Sequence, residues 1–93
     1  MGDEHGDAGV SMIFVEASDG QGPSLHTHPY AETHVVQAGE ALFVAGEEER
    51  IVRAGEIVVA PAGVPHSFTA RGSFREIAIH ANGHFVTDWL SDA

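Results

Sequence analysis

The sequence consists of short apolar runs in which apolar and polar residues alternate, and each run ends near a glycine, a proline or an acidic turn. Alternate residues of a strand lie on opposite faces, so this period of two predicts β-strands. Many short strands separated by turn residues are typical of an antiparallel sandwich or barrel. The predicted strands cover residues 11–17, 24–28, 32–38, 40–46, 49–54, 56–61, 66–70 and 74–81.

The predicted strands leave little of the chain for other structure. We expect turns at Gly39, at Gly55 and at Arg71 with Gly72, because glycine readily adopts turn conformations. Residues 1–9 should form a flexible arm, and residues 10–93 a single domain, since a chain of 93 residues has room for one core.

The segment HFVTDWL, residues 84–90, departs from the period of two. Its spacing favours a short C-terminal turn or helix. Phe85, Trp89 and Leu90 would then cap a barrel mouth or an interface.

The charge of the chain bears on its partners. Fourteen acidic residues and four basic ones give a formal net charge of −10 at pH 7. A surface of that sign repels nucleic acid and anionic lipid, so neither is an expected partner. The acidic N-terminal stretch lacks the character of a signal peptide, and no apolar run is long enough to cross a bilayer. We therefore expect a cytoplasmic protein.

Histidines cluster between two glycines in GQGPSLHTHPYAETHVVQAG, residues 20–39. His26 and His28 are two positions apart on a predicted strand, so their side chains face the same way. After a bend over residues 29–31, Glu32 can return to the same point, and the rigid turn PAGVPH presents His66. The chain has no cysteine, so a metal would be held by nitrogen and oxygen. This donor set suits one divalent transition metal: manganese, iron, nickel, copper or zinc.

The same residues resemble the two motifs of the cupin family. The first motif is matched by Gly20, His26, His28, Glu32 and Gly39, without gaps, and the second runs from Gly55 through Pro61 and Gly63 to His66. The resemblance covers roughly residues 10–90 and is closest to small single-domain bacterial cupins. It implies an all-β fold, a small antiparallel double-stranded β-helix or jelly-roll barrel. It also implies a metal held by His26, His28, Glu32 and His66, and a homodimer.

Other residues are candidates for the pocket. His34 lies two positions beyond Glu32 and is a candidate acid or base, while Glu32 itself is both a ligand and a possible carrier of a proton. An alternative interpretation is that His34 is a satisfied polar residue near the mouth. The further candidates for the pocket are Tyr30, Val36, Phe43, Phe68 and His80.

Two classes of function fit these residues. A metal with open coordination positions would support an enzyme that acts on a small neutral oxygenated molecule, as a dioxygenase or as an isomerase, lyase or cyclase. The chain has few basic residues with which to hold a phosphorylated or polycarboxylate substrate. The alternative is a module without catalytic activity, in which the metal anchors a small molecule for binding or sensing.

Overall fold

The computed structural model describes residues 9–82 and 87–89, and these residues form an antiparallel all-β structure. The strands are β1 (Ser11–Ala17), β2 (His26–Thr27), β3 (Glu32–Ala45), β4 (Glu48–Arg53), β5 (Ile57–Ala60), β6 (His66–His80) and β7 (Asp88–Trp89). Among the described residues there is no helix that is long and apolar enough to cross a membrane.

Two long strands, β3 and β6, organise the sheet and pair with each other along most of their length. The first part of β3 also pairs with β5, and the last part of β6 pairs with β1. The second part of β3 pairs with β4, and the first residue of β6 pairs with β2, which in turn pairs with β7. The long strands are therefore shared by two groups of strands, β5-β3-β6-β1 and β4-β3-β6-β2-β7.

The long strands bend where the sequence contains glycine. Two turns were predicted here, at Gly39 and at Arg71 with Gly72, but all three residues lie inside strands β3 and β6. Gly39 has a φ of 77°, and the register between β3 and β6 shifts on both sides of Ala38. A glycine with positive φ can form a bulge that bends a strand without ending it. The predicted turn at Gly55 is present, between β4 and β5.

The core is a cluster of aromatic and small apolar side chains. Phe43 and Phe68 face each other across the β3–β6 pairing with ring centroids 5.1 Å apart, and Phe74 lies 5.5 Å from Phe68. The buried members of the cluster are Val36, Ala41, Phe43, Val52, Phe68, Ala70 and Phe74. The rings of Phe43 and His34 are T-shaped to each other, at 4.9 Å between centroids, so the apolar core directly adjoins a polar cluster.

The C-terminal segment differs in part from its predicted turn or helix. Asp88 and Trp89 form strand β7, which pairs with His26 and Thr27 of β2. Trp89 is exposed, and its ring lies 4.9 Å from the ring of His26. The predictions for Phe85, Leu90 and most of the N-terminal arm concern positions outside the described residues.

Candidate metal centre

Four candidate ligands come together because each lies at an end of a strand or directly beside one. His26 opens β2, Glu32 opens β3 and His66 opens β6, while His28 follows β2 directly. The antiparallel pairing of β2 with β6 places His26 opposite His66. All four side chains are buried. Their ligand atoms all lie within 4.8 Å of one another, so the sheet brings His66 to three residues that lie 34 to 40 positions before it in the chain.

The loop before β6 is fastened to the loop that carries His28. Gly63 has a φ of 76°, and its backbone N–H donates a hydrogen bond of 2.8 Å to the carbonyl oxygen of His28. The prolines on either side of this glycine restrict the backbone further. The turn therefore sets the position of His66 relative to His28.

The distances fit a metal ion. Two ligands at right angles around an ion, with bonds of about 2.1 Å, are about 3.0 Å apart. The Oε1 atom of Glu32 lies 2.8 Å from Nε2 of His66 and 3.2 Å from Nε2 of His28. These are the separations expected for neighbouring ligands of one ion.

In two of the imidazoles, the Nδ1 atom forms a hydrogen bond with a backbone carbonyl oxygen. Nδ1 of His26 lies 2.7 Å from the carbonyl oxygen of Ser24, and Nδ1 of His66 lies 3.0 Å from that of Val64. A carbonyl oxygen can only accept, so in a neutral ring the proton lies on Nδ1 and Nε2 carries a lone pair. Burial also lowers the pKa of His26, which favours the neutral ring that binds metals. Both rings are thus prepared to coordinate through Nε2.

Glu32 remains a carboxylate although it is buried. Burial alone would raise its pKa, but the imidazoles of His34, His66 and His80, whose Nε2 atoms lie 3.3, 2.8 and 2.9 Å from its oxygens, outweigh burial and hold the pKa well below its usual range. A carboxylate among imidazoles is a donor set that several divalent transition metals accept. The site therefore contains a buried His/His/Glu/His group that could bind a metal.

His34 lies beside this group and is held by a second carboxylate. Its Nδ1 is 2.9 Å and 3.0 Å from the two oxygens of Glu76, which is fully buried. Its Nε2 lies 3.3 Å from Oε1 of Glu32 but makes no hydrogen bond within the described part of the chain. Burial alone would lower the pKa of His34, but Glu32 and Glu76 together outweigh this effect and raise the pKa to about 9.

His80 lies on the other side of Glu32. Its Nε2 is 2.9 Å from Oε2 of Glu32, and its Nδ1 is 2.7 Å from the hydroxyl of Tyr30. The ring of Tyr30 stacks on that of His28, with centroids 5.1 Å apart and planes 16° apart. Tyr30 therefore lies behind two of the histidines of the site.

A cavity of about 270 Å³ opens over the polar cluster. Three of the candidate ligands, His26, His28 and Glu32, line it together with His34 and His80. Its apolar walls are formed by Ile13, Val15, Pro23, Phe68, Ala78 and Trp89. No arginine belongs to the described lining. The cavity can therefore admit a small molecule, and it offers apolar walls and imidazoles but no cationic side chain besides them.

The residues that were expected around the pocket fall into two groups. Phe68 and His80 line the cavity. Val36 and Phe43 belong to the core cluster beneath it, and Tyr30 is buried behind His28 and His80.

Sequence reasoning did not identify Glu76 as part of the site. The available signal was that Glu76, Ala78 and His80 share one face of a strand. The other face carries Ile77 and Ile79, and apolar residues are the usual indication of an interior face. In the structure the face with Glu76 and His80 is the buried one, because it meets the polar cluster.

Comparisons with known proteins agree with this fold. A cupin-like protein from Thermotoga maritima superposes with a TM-score of 0.86 at 24% identity, over 96% of this chain and 70% of that one. An uncharacterised protein with a double-stranded β-helix domain from Klebsiella pneumoniae gives a TM-score of 0.79 at 26% identity, over 86% and 69% of the two chains.

An oxalate oxidase is also similar, with a TM-score of 0.81 at 26% identity over 90% of this chain. The chain spans only 47% of that protein. Among curated protein sequences, none matches this chain. The family model for the cupin domain matches residues 12–80, which is most of the sequence. The chain therefore belongs to the cupin family.

Proposed function

We propose that this protein binds one divalent transition metal through His26, His28, Glu32 and His66, and that it uses the metal to act on a small oxygenated molecule. The observation that carries the proposal is the convergence of four buried donors, all within 4.8 Å of one another, at a cavity. Manganese, iron, nickel, copper and zinc all accept this donor set. When bound, such an ion supplies a Lewis acid with open coordination positions and, if it is redox-active, a centre for oxygen chemistry.

The cavity supports a small, neutral, oxygenated substrate. Its apolar walls and its lack of arginine among the described residues favour a molecule without phosphate or several carboxylates. The similar oxalate oxidase has been solved with glycolate, which matches the proposed substrate in being small and oxygenated but carries one carboxylate. We therefore place the reaction among dioxygenase chemistry or isomerase, lyase or cyclase chemistry.

His34 is our candidate for the residue that moves a proton. It lines the cavity, it lies 3.3 Å from Glu32, and Glu76 fixes its ring from behind. An imidazole in that position can accept or donate a proton at a bound molecule without being one of the four ligands. Glu32 is the alternative carrier, because its carboxylate is beside the same space.

The test is a substrate screen on protein reconstituted separately with each of the five metals. Diols, enolised diketones and other small hydroxy or keto compounds are supplied, while oxygen uptake is recorded and products are separated by chromatography. We expect turnover with one metal, and we expect His34→Ala to reduce kcat by about 100-fold or more while metal content is retained. A conservative His34→Gln variant with an equally low kcat would indicate that proton transfer, rather than packing, has been lost.

One outcome would contradict the enzyme proposal, and another would contradict only the role of His34. Binding of a small molecule without product under any condition would instead indicate a metal-anchored binding or sensing module. Turnover by His34→Ala equal to that of the unmodified protein would remove His34 from the mechanism.

We further propose that the protein is a homodimer. The support comes from an apolar stripe on the outer face of the group β5-β3-β6-β1. In the strand register, Phe14 lies beside Ile77, Ile77 beside Val35, and Val35 beside Ile57. Phe14 is 74% exposed and Ile57 56% exposed. Exposed apolar surface of this kind commonly marks an interface.

A further inference from the structure

The two carboxylate oxygens of Glu32 have different surroundings. Oε1 faces the group of candidate ligands, at 2.8 Å from Nε2 of His66 and 3.2 Å from Nε2 of His28. Oε2 instead lies 2.9 Å from Nε2 of His80, a residue outside the group of four. Since the two contacts lie on different oxygens, the rotation of the carboxylate is restricted on both sides.

His80 is itself oriented by a second residue. The hydroxyl of Tyr30 lies 2.7 Å from Nδ1 of His80, and both side chains are buried. If the tyrosine hydroxyl donates to Nδ1, a neutral His80 carries its proton on Nε2, where it can donate to the carboxylate. The hydrogen bonds then run in one direction, from Tyr30 to His80 to Oε2 of Glu32.

Tyr30 also contacts a second candidate ligand. Its ring stacks on the ring of His28 at 5.1 Å between centroids, with an angle of 16° between planes. The ring face supports His28, and the hydroxyl acts on Glu32 through His80. One side chain thus influences the orientation of two ligands that come from different parts of the chain.

We propose that Tyr30 and His80 are positioning residues of the metal centre, which hold Glu32 so that only Oε1 is offered to the ion. This inference rests on the proposed metal binding. A carboxylate that binds through one oxygen fills one coordination position, whereas binding through both fills two. With three imidazoles and one oxygen in place, an octahedral ion keeps two open positions for a small molecule. The hydrogen bonds on Oε2 would therefore preserve the space in which the ligand binds.

The experiment uses cobalt(II) as the probe, because its visible spectrum reports on coordination number. Protein freed of metal is titrated with cobalt(II) in competition with a chelator, for the unmodified chain and for Tyr30→Phe, His80→Gln and His80→Phe. Tyr30→Phe keeps the ring that stacks on His28 and removes only the hydroxyl. His80→Gln retains a side-chain N–H that can reach towards Glu32, whereas His80→Phe has none.

A matched control is available at Ser11. Its hydroxyl is buried and donates a hydrogen bond of 2.7 Å to the carbonyl oxygen of Asn82, without being part of the Glu32 network. Ser11→Ala therefore removes a buried hydroxyl of similar hydrogen-bond length from the residue that pairs with His80 across β1 and β6, so it also controls for a small change beside that histidine. Circular dichroism of each variant establishes that it folds, and Tyr30→Phe provides the test if His80→Phe does not.

We expect the unmodified protein to bind one equivalent of cobalt(II). Tyr30→Phe should weaken binding about tenfold and His80→Phe up to about 100-fold, as is usual when a partner of a metal ligand is removed. The visible spectrum of the cobalt complex should change in both variants, because the released Oε2 can take one of the two positions that are otherwise open to a small molecule or solvent. His80→Gln should recover part of the affinity and of the spectrum, and Ser11→Ala should differ less than twofold from the unmodified chain.

Failure of the positioning role can be distinguished from failure of the metal site itself. If the unmodified protein binds one equivalent of cobalt(II) and the Tyr30 and His80 variants share its affinity and spectrum, the positioning role is overturned while the metal site stands. A weaker affinity with an unchanged spectrum also overturns it, since a loss of general stability would have that effect. If the unmodified protein binds no cobalt(II), both the metal site and this inference fail.

Discussion

At the scale of single residues, the site depends on side chains that a motif does not reveal. His26, His28, Glu32 and His66 follow from spacing and turn chemistry, because three of them open a strand and His28 directly follows one. The partner of His34 does not follow from spacing. Glu76 comes from β6, and its contact with His34 depends on the pairing register of two distant strands.

Glu76 should be among the most important residues for stability. Replacing it with alanine leaves the ring of His34 buried without its carboxylate partner. Breaking a buried pair of this kind costs about 3 kcal/mol or more, and in a domain of this size that lowers the melting temperature by more than about 10 °C. Glu76→Gln retains a hydrogen-bond acceptor for His34, so its melting temperature should fall less than that of Glu76→Ala.

The measurement is thermal unfolding in the presence of a chelator, so that metal binding does not contribute. Glu47→Ala is the control, because Glu47 is an exposed acidic residue in the turn between β3 and β4. Its free energy of unfolding should change by less than about 0.5 kcal/mol. An equally small change for Glu76→Ala would show that the contact with His34 contributes little to folding.

At the scale of the elements, alternation in the sequence predicted the positions of the strands well, but it did not show which neighbouring strands are continuous. Two pairs of predicted strands, 32–38 with 40–46 and 66–70 with 74–81, are each one continuous strand. The glycine between the first two was interpreted as a turn, because sequence alone does not distinguish a turn glycine from a bulge glycine. Only the pairing of β3 with β6 shows that each of these strands continues past its glycine.

The bulge at Gly39 should tolerate no side chain. A Cβ atom there would lie 2.0 Å from the backbone oxygen of Ser73, and the φ of 77° already disfavours other residues. At Gly55 the φ of 89° is similar, but nothing lies within 4 Å of the added atom. Gly55→Ala should therefore cost only the conformational strain, about 1–2 kcal/mol. Gly39→Ala should cost about 1–3 kcal/mol more, because backbone must move.

Urea unfolding of the two variants measures this difference. Equal free energies of unfolding for Gly39→Ala and Gly55→Ala would mean that strands β3 and β6 do not approach as closely at the bulge as the structure describes.

At the scale of the whole molecule, the strand faces are unusual in that a polar face is buried and an apolar face is exposed. Glu76 and His80 face the interior of the barrel, whereas Phe14 and Ile57 lie on its outside. The proposed metal site would explain the polar interior, because candidate ligands and the residues that hold them must lie together there. A homodimer would explain the apolar exterior.

The dimer is tested by placing a charge in the apolar stripe. Phe14→Glu adds a negative charge to the most exposed of its side chains, in a chain whose net charge is already −10. We expect the unmodified protein to sediment as a dimer and Phe14→Glu as a monomer of 9.8 kDa at the same concentration. Thr69→Glu, at an exposed position on the other half of β6, should remain dimeric. A monomeric unmodified protein at all concentrations would contradict the proposed dimer.

The most direct measurement is elemental analysis by mass spectrometry on protein purified without a polyhistidine tag or chelator, beside His66→Ala. The four buried donors predict about one equivalent of manganese, iron, nickel, copper or zinc per chain, and a loss of that metal in His66→Ala. The melting temperature of the variant should fall as well, because an ion that binds only the folded state stabilises it. No stoichiometric metal even after reconstitution, or an unchanged metal content in His66→Ala, would contradict the central claim that these residues form a metal centre.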